Sequence, residues 1–178
     1  TASNLAGTVT LTCKNLGEAG NDFRVFLNYF TGQTTPAGVG VTLNPFAGGT
    51  TNPALAQVWS AIPNSQFHVI VSPYTDTTSM ASIETELDSR WDALRAIEGA
   101  YISCRQDTAA NLITYGDARN NEHVVVFGVQ NSPTPPRQLA AAAAGQIARS
   151  AEQDPALPCT SRERAGTLPP EANDQFSF

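Results

Sequence analysis

The sequence predicts an α/β protein, a mostly parallel sheet with helices on both faces, preceded by a β-rich N-terminal portion. Three observations carry that reading. The runs FHVIV (67–71), AYISC (100–104) and HVVVFGV (123–129) are short, rich in β-branched residues and too apolar for strands with one wet face. Longer segments between and after them carry apolar residues every three or four positions, the period of a helix. The two kinds of segment alternate, as parallel strands joined by helical crossovers do. At 178 residues the chain suffices for one well-cored domain. It is expected to comprise a β-rich portion (1–43), an alternating core (44–155) and an extended C-terminal segment (156–178).

In chain order, TVTLT (8–12) alternates and reads as a strand. KNLGEAGND (14–22) follows as an ordered loop, with Gly17 and Gly20 free to turn and Asn21 and Asp22 suited to local bonds. FRVFLNYF (23–30) and GVGVTL (38–43) are the second and third expected strands. Asn52 then caps a helix with Pro53 at its first position, Ala54, Leu55, Val58, Trp59 and Ile62 mark its apolar face, and Pro63 closes it.

Beyond the strand at 67–71, a helix over 79–98 carries Met80, Ile83, Leu87, Trp91, Leu94 and Ile97, with Gly99 as its stop. Glu86 and Arg90 are four apart and read as a wet-face ion pair worth about 0.3 kcal/mol. Asp107 caps a shorter helix running to Ala118. The last helix is the most legible. Thr134 is its expected cap and Pro135 its first residue. Leu139, Ala143, Ile147 and Ala151 form a thin apolar stripe beside Ala140, Ala144 and Ala148, and Asp154 before Pro155 ends it. So many alanines let a neighbouring element approach to about 8 Å between axes.

A net charge of −6, with Lys14 the one lysine and no basic run, excludes nucleic acid and anionic membranes as natural partners. No run of about 18 apolar residues and no secretory signal pattern is found, so neither membrane insertion nor export is expected. The chain starts without methionine and stops at the apolar Gln175-Phe176-Ser177-Phe178, which reads as an excised piece of a longer protein. Cys13, Cys104 and Cys159 are odd in number and far apart, so free thiols in a reducing compartment such as a bacterial cytosol are expected.

In an open α/β sheet, ligands sit beyond the carboxyl ends of the strands. Those ends offer Ser72, Tyr74 and Asp76, then Arg105 and Asp107, then Gln130 and Asn131. Ser72 is followed by proline and lacks the Gly-x-Ser-x-Gly elbow. His68 lies within one expected strand and His123 begins another at the wrong end, so neither reaches Ser72 as a base. Gly48-Gly49-Thr50-Thr51 precedes a helix like a phosphate cradle but lacks the Gly-Lys-Ser/Thr ending, and Gly38-Val39-Gly40 precedes its strand rather than following it. Glu84, Glu86, Asp88 and Asp92 alternate around a helix among Arg90 and Arg95, which describes a solvated ion-pair face, and Trp91 belongs to the apolar stripe. No catalytic residue, cofactor site or metal ligand is therefore assigned. The rival reading is a small-molecule or nucleotide site using Ser72, Asp76, Asp107 and Asn131.

Three segments carry a family likeness. CKNLGEAGNDFRVFLNYF (13–30) resembles the Asn-x-Gly-x-x-Gly-Asn block of contractile-phage tail sheath proteins. FHVIVSPYTD, continuing to LDSRWDALRAIEG, and SPTPPRQLAAAAAGQIARSAEQDPALPC, continuing to Gly166-Thr167-Leu168-Pro169-Pro170, resemble the sheaths of Mu-like phages and prophages. The resemblance implies a non-enzymatic structural subunit that polymerises as six-fold rings around a tail tube. It also implies a baseplate trigger and nucleotide-free contraction that drives the tube through the host envelope for genome delivery. Other sheath subunits, the tube and the baseplate are the implied partners, the virion tail the implied location, and the host cytoplasm the place of assembly. A phage-derived contractile injection machine would share the mechanism. Terminal arms that link neighbours in this family are not visible here, so the piece alone is expected to be monomeric. The prolines from Leu157 to Pro170 and the acidic helix near Glu84 are candidate contact surfaces.

Overall fold

A computed structural model describes residues 1–156, 158 and 165–176. Leu157 and Cys159 lie outside the described residues, as do the last two of the apolar tail. The chain separates into two compact units, Thr1–Pro53 and Ala54–Phe178.

The first unit contains an antiparallel hairpin, β1 (Ala2–Leu5) with β2 (Thr8–Leu11), turned by Ala6 and Gly7 at positive φ. β2 is the expected TVTLT strand, whereas β1 is too polar to announce itself. The expected strands at 23–30 and 38–43 do not form. Asn28 sits in left-handed backbone (φ 57°) and bonds Thr35, while Tyr29 packs edge to face with both Phe26 and Phe30. β-Propensity without a partner strand has nothing to pair with. Gly17 and Gly20 are the buried residues among those described in this unit, so it holds no apolar core of its own.

The second unit is built on a three-stranded parallel sheet in the order β3 (Val69–Val71), β4 (Ala100–Gln106), β5 (Val124–Val129). α1 (Ala56–Ala61) precedes it, α2 (Thr77–Trp91) and α3 (Ala109–Asp117) connect the strands, and α4 (Pro136–Gln153) follows. Alternate residues of β4 serve opposite faces. Tyr101 packs with Met80, Ile83 and Leu87 of α2 and with Leu55, Val124 and Val126. Cys104 packs on the other side with Leu139 and Ala140 of α4 and with Phe127 and Val129. α3 shares the α2 face, because a Cβ on Gly128 would meet Leu112 at 2.8 Å. Two successive right-handed crossovers in one direction place both connecting helices on one face. α4 covers the other, as expected of helices on both faces.

Several boundaries depart from the sequence reading for local reasons. α1 is capped by Leu55, not Asn52, whose side chain is engaged elsewhere. α2 starts after Asp76, which accepts from the Ser79 N–H (2.9 Å), and ends at Trp91 instead of 98; Ala96 takes the left-handed turn (φ 49°). Gly99 is therefore not the helix stop. It lets β4 approach the preceding segment, since a Cβ there would lie 2.6 Å from the Phe67 carbonyl oxygen. α3 is capped by Thr108, with Asp107 binding the Thr108 N–H and the Asn111 amide. α4 takes Pro135 as its cap and Pro136 as its first residue, one position later than expected.

Candidate functional site

The loops after β3, β4 and β5 come together at the carboxyl edge of the sheet, as expected of parallel strands. Most of their polar groups are engaged by the fold itself, while Arg105 Nε and the Gln106 side-chain amide are buried without a hydrogen-bond partner among the described residues. The Tyr101 hydroxyl is buried against Ser72 Oγ (2.7 Å) and donates to the Tyr74 carbonyl (2.7 Å). Ser103 Oγ donates to the Ser72 carbonyl (2.8 Å). Burial pushes the Tyr101 phenol up from its ordinary value, against the opposing bonds from Ser72 and Ser103. Ser72 thus anchors a loop. Asp76 caps α2, and Tyr74 packs its ring against the core.

After β4, Arg105 pairs with Asp107 (3.1 Å) and lays its guanidinium 4.5 Å from the Tyr115 ring centroid. Arg119 stands 4.8 Å from the same ring and pairs with Glu84 (2.9 Å), while the Tyr115 hydroxyl donates to the Thr75 carbonyl (3.0 Å). Burial raises the Tyr115 pKa even beside two cations. The Asn111 amide, ahead of the Thr108 N–H and Arg105, holds the Asp107 carboxyl below its usual range against a counteracting effect of burial. These contacts tie α3 to the β3–α2 loop.

After β5, Asn131 (φ 43°) donates to Asp174 (3.1 Å). Thr134 accepts from the Leu168 N–H (2.8 Å) and donates to the Leu168 carbonyl (3.2 Å). Thr134 is therefore a clasp for the C-terminal segment, not a helix cap. Ser72, Asp76, Asp107 and Asn131 share an edge of the sheet, and each holds a loop or helix end.

The histidines lie at the opposite edge. His68 immediately precedes β3 rather than lying within it, and it faces solvent. His123 precedes β5, 3.7 Å from Glu122 and 4.0 Å from Asp88, with its ring 5.7 Å from Trp91. Trp91 is 52% exposed, so it is not core.

The expected wet-face pair is half internal. Arg90 is 2% exposed and binds Glu86 (2.9 Å) and the carbonyls of Ile62 (2.6 Å) and Ser65 (2.9 Å). Arg95 joins Glu86 (2.9 Å) and the Pro63 carbonyl. Sequence reasoning missed this clamp. The available signal was that Arg90 follows Leu87 by three, continuing the Met80–Ile83–Leu87 stripe. Glu84 is taken by Arg119, Asp88 by Asn121, and Asp92 ends α2. Among the described residues, no cluster of three or more metal-ligating side chains is present, and no helix is long and apolar enough to cross a membrane.

The glycine loop is likewise committed. Asn21 accepts from the Gly49 N–H and donates to the Gly49 carbonyl (2.9 Å each), and Asn52 accepts from the Glu18 N–H (3.1 Å) and donates to its carboxylate (3.1 Å). A Cβ on Gly49 would fall on the Gly17 carbonyl. The Gly49 amide of this cradle-like loop is bound to Asn21, in keeping with a turn role. Gly38 (φ 84°) turns the chain, with Val39 N–H donating to Pro36. A pocket of about 170 Å³ opens between α2 and α3, floored by Leu112, Val124, Val126 and Gly128 and rimmed by the Glu84–Arg119 pair. Its one carboxylate, Glu84, is paired with Arg119, and the Tyr115 hydroxyl in its lining is engaged with the Thr75 carbonyl.

Geometry thus describes a scaffold whose reactive-looking groups fasten its own loops. No family model matches the chain. It is 29% identical over 177 residues, 99% of its length, to the Mu-like prophage FluMu tail sheath protein of Haemophilus influenzae, of which it spans 36%. The likeness to contractile tail sheaths read in three sequence segments, two of them Mu-like, is met by that alignment along nearly the whole chain.

Proposed function

We propose that this chain is part of a phage tail sheath subunit with a structural, non-enzymatic role. The carrying observation is the end-to-end similarity to a Mu-like prophage tail sheath protein. The committed hydrogen bonds at the carboxyl edge support it, because the residues of the rival nucleotide or small-molecule site already have partners. On this reading the intact protein assembles with copies of itself around a tail tube, meets a baseplate, and resides in the virion tail after assembly in the host cytoplasm. Contraction is a repacking of subunit contacts between two discrete arrangements. It draws on the difference between those contact sets and drives the tube through the envelope for genome delivery.

The test is assembly. The intact protein, purified and concentrated, is expected to form rings or tubes in negative-stain electron microscopy, while the 178-residue chain stays monomeric. An intact protein that remains monomeric at high concentration overturns the reading.

A further inference from the structure

We propose that residues 165–176 form a releasable strap, closed over the β5–α4 junction and able to leave it as a unit while the sheet stays folded. Two fastenings are defined among the described residues, and Thr167 makes a further contact. One is the reciprocal pair between the Thr134 hydroxyl and the Leu168 main chain, and the other brings Asp174 to Asn131 (3.1 Å) and Gln130 (3.5 Å). The strap keeps its own shape through Asp174 N–H to the Glu171 carbonyl (2.9 Å) and the Gln175 amide to the Pro170 carbonyl (3.1 Å).

None of its described residues is buried, whereas beneath the fastenings Thr134 is 6% and Ser132 1% exposed. A segment held by a few hydrogen bonds and little apolar burial opens at a small fraction of the cost of global unfolding. β4, by contrast, has Tyr101 and Ser103 fully buried and is paired on both sides. Closed, the strap occupies the carboxyl end of β5. Open, it frees the polar groups of Gln130, Asn131 and Thr134 beside the start of α4 for contacts outside this chain. This inference goes beyond the sheath reading and stands or falls separately from it.

Hydrogen exchange on the intact protein tests it, reading the Leu168 amide against the amides of β4. Leu168 is expected to exchange at least about 100-fold faster than β4, and Thr134→Val, which removes both bonds, should speed it about tenfold further with β4 unchanged. Asp174→Ala, on the outer fastening, should speed Leu168 several-fold and provides a second arm if Thr134→Val does not fold. Leu168 exchanging in step with β4, or variants that speed both alike, would show the strap to be part of the core and overturn the proposal.

Discussion

Arg90 shows how one side chain joins sequence, packing and stability. Its guanidinium is withdrawn from water and satisfied by one carboxylate and two loop carbonyls. Truncation leaves the Ile62 and Ser65 carbonyls without Arg90 and Glu86 with Arg95 alone, which costs more than the loss of a surface pair. Arg90→Ala is expected to destabilise the second unit by about 3 kcal/mol in urea unfolding, against under about 1 kcal/mol for an exposed pair. Tyr101 sets an alkaline limit. Because burial raises its folded pKa, its contribution is fully present below the unfolded value, about 10, and is lost as pH rises through the folded value. Tyr101→Phe should cost about 1–2 kcal/mol at neutral pH and flatten the alkaline fall in stability, as measured by urea midpoints across pH. Asp107 acts at the other end of the scale. Its depressed pKa stabilises above the unfolded value, about 3.9, and that contribution disappears as pH falls through the folded value. Asp107→Asn should reduce the acid-side slope.

At the scale of elements, what was legible in the sequence was whatever bore its own period. β3, β4, β5, α2 and α4 follow from apolar runs and three-four spacing because burial on the sheet imposes those patterns. What depends on a distant partner was not legible. Whether Pro135 or Pro136 opens α4 turns on Thr134, and Thr134 is held 34 residues away by Leu168. FRVFLNYF has strand composition but turns at Asn28, and β1 has none yet pairs with β2. Parallel topology brings the candidate residues to one edge of the sheet, as the sequence reading expected. That those residues are occupied required the side-chain bonds, since an Asp that caps a helix and an Asp that binds substrate look alike in a string of letters. The Asn21–Gly49 clasp gives a direct test. Gly49→Ala must push the two loops apart, and is expected to raise the rate of limited proteolysis between 44 and 52 at least several-fold, with α2 and α4 unaffected.

Across the whole molecule, apolar burial is confined to the second unit. A polypeptide of residues 54–178 is therefore expected to unfold cooperatively on heating, and one of residues 1–53 to show no transition, because a hairpin without a covering layer is marginal in water. Circular dichroism of the two pieces checks this. The contact between α4 and the sheet has a mechanical consequence. Ala140, Ala143 and Ala144 lie flush against the strands, and Leu139 is the single large aliphatic side chain buried from this helix. Lifting α4 away forfeits dispersion along the whole seam, whereas sliding it along its axis has to unseat chiefly Leu139 and the buried Pro136 at its start. The joint is therefore expected to be stiff to peeling and more compliant to shear, so that a load borne along α4 would be answered first by slip of the helix over the sheet.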